Sequence, residues 1–148
     1  MNNKMIDIGI LHTPITDKAT APIQSSRSEL TGLVEVFPQF AEGLEGIDGF
    51  SHIYLLYGFH QSDPVSRLTV QPFLDDQVHG VFACRYPCRP NPLGLSVVRL
   101  LERRGNLLEV NGVDMLDGTP LWDIKPYIPE FDVFSVEKSG WYSNRKYT

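Results

Sequence analysis

The sequence predicts an all-β, mainly antiparallel fold: a single small β-barrel carrying short helical turns. Three observations point there. The apolar runs are short and β-branched, Gly and Pro clusters bound them, and no run has the length and period of a long amphipathic helix. The chain has 148 residues, 42% of them hydrophobic, enough for one core. Its 21% of charged residues is too few for a disordered chain.

The elements follow in order. MIDIGILH (5–12) is the first strand, with Met5, Asp7, Gly9 and Leu11 on one face and Ile6, Ile8 and Ile10 on the other. The isoleucine face is expected to point inward. Thr13-Pro14 ends the strand, and the aperiodic polar stretch 15–30 reads as a loop long enough to be functional. GLVEVF (32–37) is a strand, and PQFAEGLEGIDG (38–49) holds one short helical turn that its glycines stop. SHIYLLYGFH (51–60) is the most apolar strand and is placed centrally. Short strands are expected over 66–71 and over HGVFACR (79–85). PCRPNPLG (87–94) is too rich in proline for a helix or a central strand.

LSVVRLLER (95–103) and LLEVNGVDML (107–116) flank Arg104-Gly105-Asn106, a hairpin turn because Gly and Asn readily take positive φ. DGTP (117–120) is a further turn, and LWDIKPYI (121–128) closes the set. Without an internal repeat or low-complexity linker, residues 1–130 are expected to form one barrel domain. Residues 131–148, polar and aromatic, are expected to be a loose C-terminal tail or a docking arm.

Composition narrows the classes. A net charge of −5 and a pI of about 5.3 argue against a general nucleic-acid coat protein, while leaving room for a local basic patch. Cys84 and Cys88 are too few for a disulfide framework, and His12, His52, His60 and His79 show no metal-ligand spacing. No metal is expected, and both thiols are expected to stay reduced. The N-terminus lacks a secretory apolar stretch and no run is long enough to span a bilayer, so no membrane association and a soluble, cytoplasmic protein are expected. No G-x-G-x-x-G, P-loop, zinc-protease helix or nucleophile elbow is present, so any nucleoside cofactor is bound by another architecture.

Two polar constellations stand out. HGVFACRYPCRPNPLGLS (79–96) sets Arg85, Arg89 and Asn91 on a stretch that prolines stiffen. Guanidiniums so placed form a pre-organised receptor for a carboxylate or phosphate. Pairing with Asp75, Asp76 or Asp117 explains them equally well. VDMLDGTPLWDIKPY (113–127) gathers Asp114, Asp117 and Asp123 beside a turn. Carboxylates at strand ends accept hydrogen bonds from ribose hydroxyls or amino groups, although ordinary turn chemistry also accounts for them and is favoured on the residues alone. APIQS (21–25) reads as a surface loop and His60-Gln61 as a strand cap.

Taken together, IGILHTP (8–14), PIQ (22–24), FPQFAEGLEGIDGFSHIYLLYGFH (37–60), GVFACRYPCRPNPLGLSVV (80–98) and DMLDGTPLWDIKPYIP (114–129) resemble the TsaA/TrmO-like family over nearly the whole chain. The resemblance implies a β-barrel that binds S-adenosyl-L-methionine near the interface of a homodimer. It also implies methylation of the exocyclic nitrogen of threonylcarbamoyladenosine next to the anticodon of tRNA. By motif matching, the cofactor is expected at Pro22, Ile23, Gln24, His60, Gln61, Arg85, Leu95 and the segment Asp114, Met115, Leu116, Asp117. Arg89 and Asn91 are expected to position the substrate, and the catalytic base is unassigned. Cys84 stands where the family often has Thr, and the longer bacterial members carry an additional C-terminal domain that is expected to be absent here. Two other readings stay open: the same cofactor with a small-molecule or protein acceptor, and a non-enzymatic cofactor-binding module.

Overall fold

Inward and outward residues alternate along the chain as a half-buried sheet requires. The structure, a computed structural model, describes residues 4–18, 28–61 and 68–144. Six strands close into a barrel: β1 (Gly9–His12), β2 (Thr31–Val36), β3 (His52–Gly58), β6 (Leu93–Arg104), β7 (Leu107–Asn111) and β8 (Thr119–Pro126). Their order around the barrel is β1-β2-β7-β6-β3-β8, all antiparallel. Two further strands, β4 (Thr69–Val70) and β5 (His79–Gly80), pair only with each other. The expected all-β barrel is the fold observed.

The chain divides into two compact units. The first comprises 1–60 and 93–128; the second comprises 61–92 and 129–148. In the first unit, Leu11, Val34, Val36, Ile53, Leu55, Val98, Leu108, Val110 and Leu121 fill the barrel. The ring order fixes what lies at its mouths. β2 and β3 stand on opposite sides, so residues 37–51 must cross one mouth. They do so as two 3₁₀ helices, Pro38–Leu44 and Ile47–Gly49, where one helical turn was expected. Leu44 enters the core, with Phe40, Ile47 and Phe50 packed against it. This mouth is closed by apolar side chains.

The β6–β7 hairpin turns on Gly105-Asn106, where only Gly105 has positive φ (62°). That is the II′ pattern, whose twist suits an antiparallel pair. Asn106 then clasps β2: its Nδ2 donates to the Val36 carbonyl at 2.8 Å, and its own carbonyl accepts from Val36 N at 2.9 Å.

Four sequence expectations need correction. In β1 the inward face carries Gly9 and Leu11, while Ile6 is exposed and Ile10 only part-buried. Leu11 pairs with Val34 across β2 and Gly9 with Val36, so register with an alternating partner sets the face. Residues 79–85 form a strand only at His79–Gly80 and continue as a 3₁₀ turn, Val81–Ala83. The stretch 107–116 leaves the sheet after Asn111. The barrel also has no central strand, since closure gives β3 and every other member two neighbours.

The second unit has its own small core of Val70, Val81 and Cys84, with Trp141 packed on it. Trp141 Nε1 donates to the Ala83 carbonyl at 2.7 Å, and its ring stacks on His79 at 5.7 Å. Residues 129–144 include α1 (Pro129–Asp132) and a 3₁₀ turn, Gly140–Asn144. No helix among the described residues is long and apolar enough to cross a membrane.

Candidate functional site

The second mouth is built differently. β7 and β8 also stand on opposite sides of the ring, so residues 112–118 cross this mouth as 37–51 cross the other. A crossing backbone needs partners for its polar groups. Two flanking segments supply them. Gly112 N and Val113 N both donate to the Leu30 carbonyl, and Ser28 Oγ donates to the Val113 carbonyl at 2.6 Å. On the other side, Thr13 Oγ1 donates to the Met115 carbonyl at 2.8 Å, Asp117 N to Ile15 O and Gly118 N to Leu11 O. Thr13 N donates in turn to Asp117 Oδ1 at 3.0 Å.

Val113 and Met115 point into the core, and the part-buried Asp114 stands between them. Its carboxylate is met by two buried hydroxyls from the barrel wall. Ser96 Oγ on β6 donates to Asp114 Oδ1 at 2.7 Å, and Tyr57 OH on β3 lies 2.8 Å from Ser96 Oγ and 3.5 Å from Asp114 Oδ1. A carboxylate only accepts, so Ser96 Oγ and Tyr57 OH both donate toward Asp114 Oδ1, and either hydroxyl can donate across the contact between them. Burial, and then the negative charge of Asp114, hold the Tyr57 hydroxyl protonated far above the ordinary tyrosine range; the Ser96 bond opposes them. Phe59 packs edge-on against the Tyr57 ring at 5.6 Å.

Of the residues expected at the cofactor, the first unit brings several to this mouth: His60 after β3, Leu95 at the start of β6, and Asp114, Met115, Leu116 and Asp117 on the crossing segment. His60 is exposed, with Nδ1 3.4 Å from the hydroxyl of buried Thr119. Leu95 is 57% exposed on the outward face of β6, as the alternation of the strand requires. Met115 is buried in the core, so its side chain serves the fold while its backbone anchors Thr13. Pro22, Ile23 and Gln24 lie outside the described residues.

The second unit carries Gln61, Arg85, Arg89 and Asn91. Arg85, Asn91 and Gln61 are exposed. Arg89 ties its own loop: Nη1 donates to the carbonyls of Cys84 (2.8 Å) and Tyr86 (3.2 Å). Asp75, one of the acids weighed as an arginine partner, pairs with His79 at 2.5 Å, and Asp117 accepts from Thr13 N. Both cysteines are buried and neither is in a disulfide. Burial raises the Cys84 thiol above its ordinary pKa, with Arg89 pulling it back and Asp75 pushing it further. Among the described residues no group of three His, Cys, Asp or Glu side chains gathers as a metal site.

The sequence singled out Asp114 but not Tyr57 and Ser96, which the structure brings to its carboxylate. The available signal was the small polar Ser96 sharing the inward face of β6 with Val98 and Leu100.

The chain is a small closed barrel of six antiparallel strands with one mouth crossed by an acidic turn. The chain belongs to the tRNA-methyltransferase O N-terminal domain family, whose model matches residues 10–133. It is 54% identical over 135 residues to a probable S-adenosyl-L-methionine-binding protein of Pyrococcus abyssi, covering 90% of this chain and 73% of that one. It is 37% identical over 132 residues to the tRNA (adenine(37)-N6)-methyltransferase of Mus musculus, covering 84% of this chain and 31% of the mouse protein. The crystal structure of TrmO from Pseudomonas aeruginosa superposes with a TM-score of 0.78 at 36% identity, covering 95% of this chain and 62% of that one. The chain thus spans about three fifths of the TrmO structure and less than a third of the mouse relative.

Proposed function

We propose that this chain is an S-adenosyl-L-methionine-dependent methyltransferase that modifies tRNA, acting on the exocyclic nitrogen of threonylcarbamoyladenosine beside the anticodon. The observation that carries the reading is the polar mouth, in a chain whose family match runs along 10–133. The residues fit a nucleoside sulfonium. Asp114 and Asp117 offer carboxylate acceptors, His60 an imidazole and Leu95 an exposed apolar face. Pro22, Ile23, Gln24, Gln61 and Arg85, with the backbone of Met115 and Leu116, complete the proposed cofactor set. The name of the Pyrococcus relative supports the cofactor, and that of the mouse relative supports N6 of a tRNA adenine as the site of methylation.

When bound, the cofactor supplies an electrophilic methyl group on sulfur. The work of the chain is alignment, which can contribute up to roughly 7–11 kcal/mol of barrier lowering. Arg85 and Asn91 lie exposed on one loop and suit the threonyl carboxylate or tRNA phosphates. Arg89, held by two carbonyls, stiffens that loop and presents it to the substrate. A homodimer walls the open mouth with a second subunit, and the protein works in the cytoplasm on its tRNA.

A second reading, a cofactor-binding module without turnover, is favoured by the net charge of −5 and by relatives named only for binding. Calorimetry with S-adenosylhomocysteine and methyl transfer to modified and unmodified tRNA separate the two. Binding together with transfer to modified tRNA alone is the expected result. Binding without transfer to any tRNA leaves the module, and no heat at millimolar ligand overturns both.

A further inference from the structure

The pair Tyr57–Ser96 is not among the residues expected to touch the cofactor, yet its placement is highly specific. Ser96 is buried on a strand whose inward neighbours Val98 and Leu100 are apolar. A buried hydroxyl needs a partner to offset its desolvation, and the partner here is the carboxylate of the mouth-crossing segment. Tyr57 reaches the same point only because its cross-strand partner is Gly94. A Cβ at Gly94 would come within 2.2 Å of Tyr57 Cε2, so the ring lies flat over the glycine and delivers its hydroxyl to Ser96. Three elements separated widely in sequence, β3, β6 and the crossing segment, converge on one carboxylate oxygen.

We infer that Ser96 and Tyr57 are positioning residues that hold the Asp114 carboxylate at the barrel mouth, where it accepts a hydrogen bond from a hydroxyl or amino group of a bound nucleoside. This rests on the function proposed above and names the device that fixes its acidic residue. Both hydroxyls donate toward the same Asp114 oxygen, because the carboxylate cannot donate. Asp114 therefore stays an acceptor with one oxygen pinned, and a ligand donor meets a carboxylate already oriented. Pre-organisation of this kind raises affinity by removing the cost of ordering the group during binding.

The test is a double-mutant cycle read by calorimetry with S-adenosylhomocysteine, with thermal melts as a folding control. Ser96→Ala and Tyr57→Phe are each expected to weaken binding about 3- to 12-fold, in the range of a typical lost hydrogen bond. Asp114→Asn is expected to weaken it about 10- to 100-fold. The deciding readout is the combination. In the Asp114→Asn background, Ser96→Ala and Tyr57→Phe are expected to change affinity by less than about twofold, because they act through the carboxylate. Multiplicative losses in the double variants would show that the two hydroxyls act independently, and overturn the inference. So would full affinity in Asp114→Asn. Tyr57→Phe keeps the ring on Gly94, so the cycle stays readable if Ser96→Ala does not fold. No binding to the unsubstituted chain would overturn the proposed function and this inference with it, whereas normal binding unaffected by all three substitutions would remove the inference alone.

Discussion

Replacing Gly94 by alanine puts a methyl group where the Tyr57 ring lies. The new carbon would sit 2.2, 2.6 and 2.7 Å from Cε2, Cζ and Cδ2 of that ring, well inside van der Waals contact. Tyr57 is 3% exposed and packed by Phe59, so the ring cannot swing into solvent without unpacking the barrel wall. Overpacking of this kind costs typically about 1–3 kcal/mol. Lifting the hydroxyl from Ser96 removes a hydrogen bond worth roughly 1 kcal/mol. The sum is on the order of 2–4 kcal/mol, or a fall in Tm of roughly 6–12 °C for a chain of this size. Urea denaturation of Gly94→Ala, with Tyr57→Leu and the double variant, measures it. Removing the ring relieves the clash, so the double variant is expected to be more stable than the two single losses predict. A loss below about 0.5 kcal/mol for Gly94→Ala, or strict additivity, would refute the claim that glycine here makes room for the ring.

Further expectations follow from the same geometry. Arg85→Ala is expected to weaken S-adenosylhomocysteine binding ten- to a hundredfold, as loss of a charge-assisted hydrogen bond of roughly 1.5–3 kcal/mol implies, with an unchanged melt; an unfolded variant would make Arg85 structural. The raised Tyr57 pKa stabilises the fold fully below the ordinary tyrosine value of about 10. Above that value the unfolded chain gives up the proton that the folded chain keeps, so stability falls as pH rises. Urea midpoints at about pH 8 and pH 11 should therefore separate more for the native chain than for Tyr57→Phe; equal separation contradicts the buried, protonated phenol. Buried Cys84 and Cys88 should react with a thiol reagent at neutral pH far more slowly in the folded than in the urea-unfolded chain, and equal rates would mean that both are accessible. Light scattering is expected to give about twice 16.7 kDa; a value near the monomer mass with full activity would exclude a shared site.

How much of this was legible in the sequence depended on whether one face of each strand was plainly apolar. In β2, β3 and β6 the alternation of Val34 and Val36, Ile53 and Leu55, Val98 and Leu100 picks one face, and the structure buries that face. In 5–12 both faces carry apolar residues, so hydrophobicity alone cannot choose, and the pairing of Leu11 with Val34 decides. Residues 79–85 are apolar and short, and a run of that length has no period to tell strand from 3₁₀ turn. Asp114 was expected at the site through the family resemblance, since its turn motif alone favours ordinary turn chemistry. Tyr57 and Ser96 lie 57 and 18 residues from it, and only the ring order of the strands brings them together.

Gly58 and Leu93 are direct pairing partners, at the end of β3 and the start of β6. The chain therefore leaves the barrel for residues 59–92 and returns to the neighbouring rung of the same ladder. A two-residue turn would close those rungs as well, since hairpin ladders need no more. The excursion has the character of a graft on a hairpin: it can lengthen, shorten or change its residues while every barrel register stays fixed, and long loops add closure entropy only slowly. Arg85, Arg89 and Asn91 all sit on that graft, and Asp114, Ser96 and Tyr57 do not. Residues of the inserted stretch can change while the barrel registers that bring Asp114, Ser96 and Tyr57 together are kept.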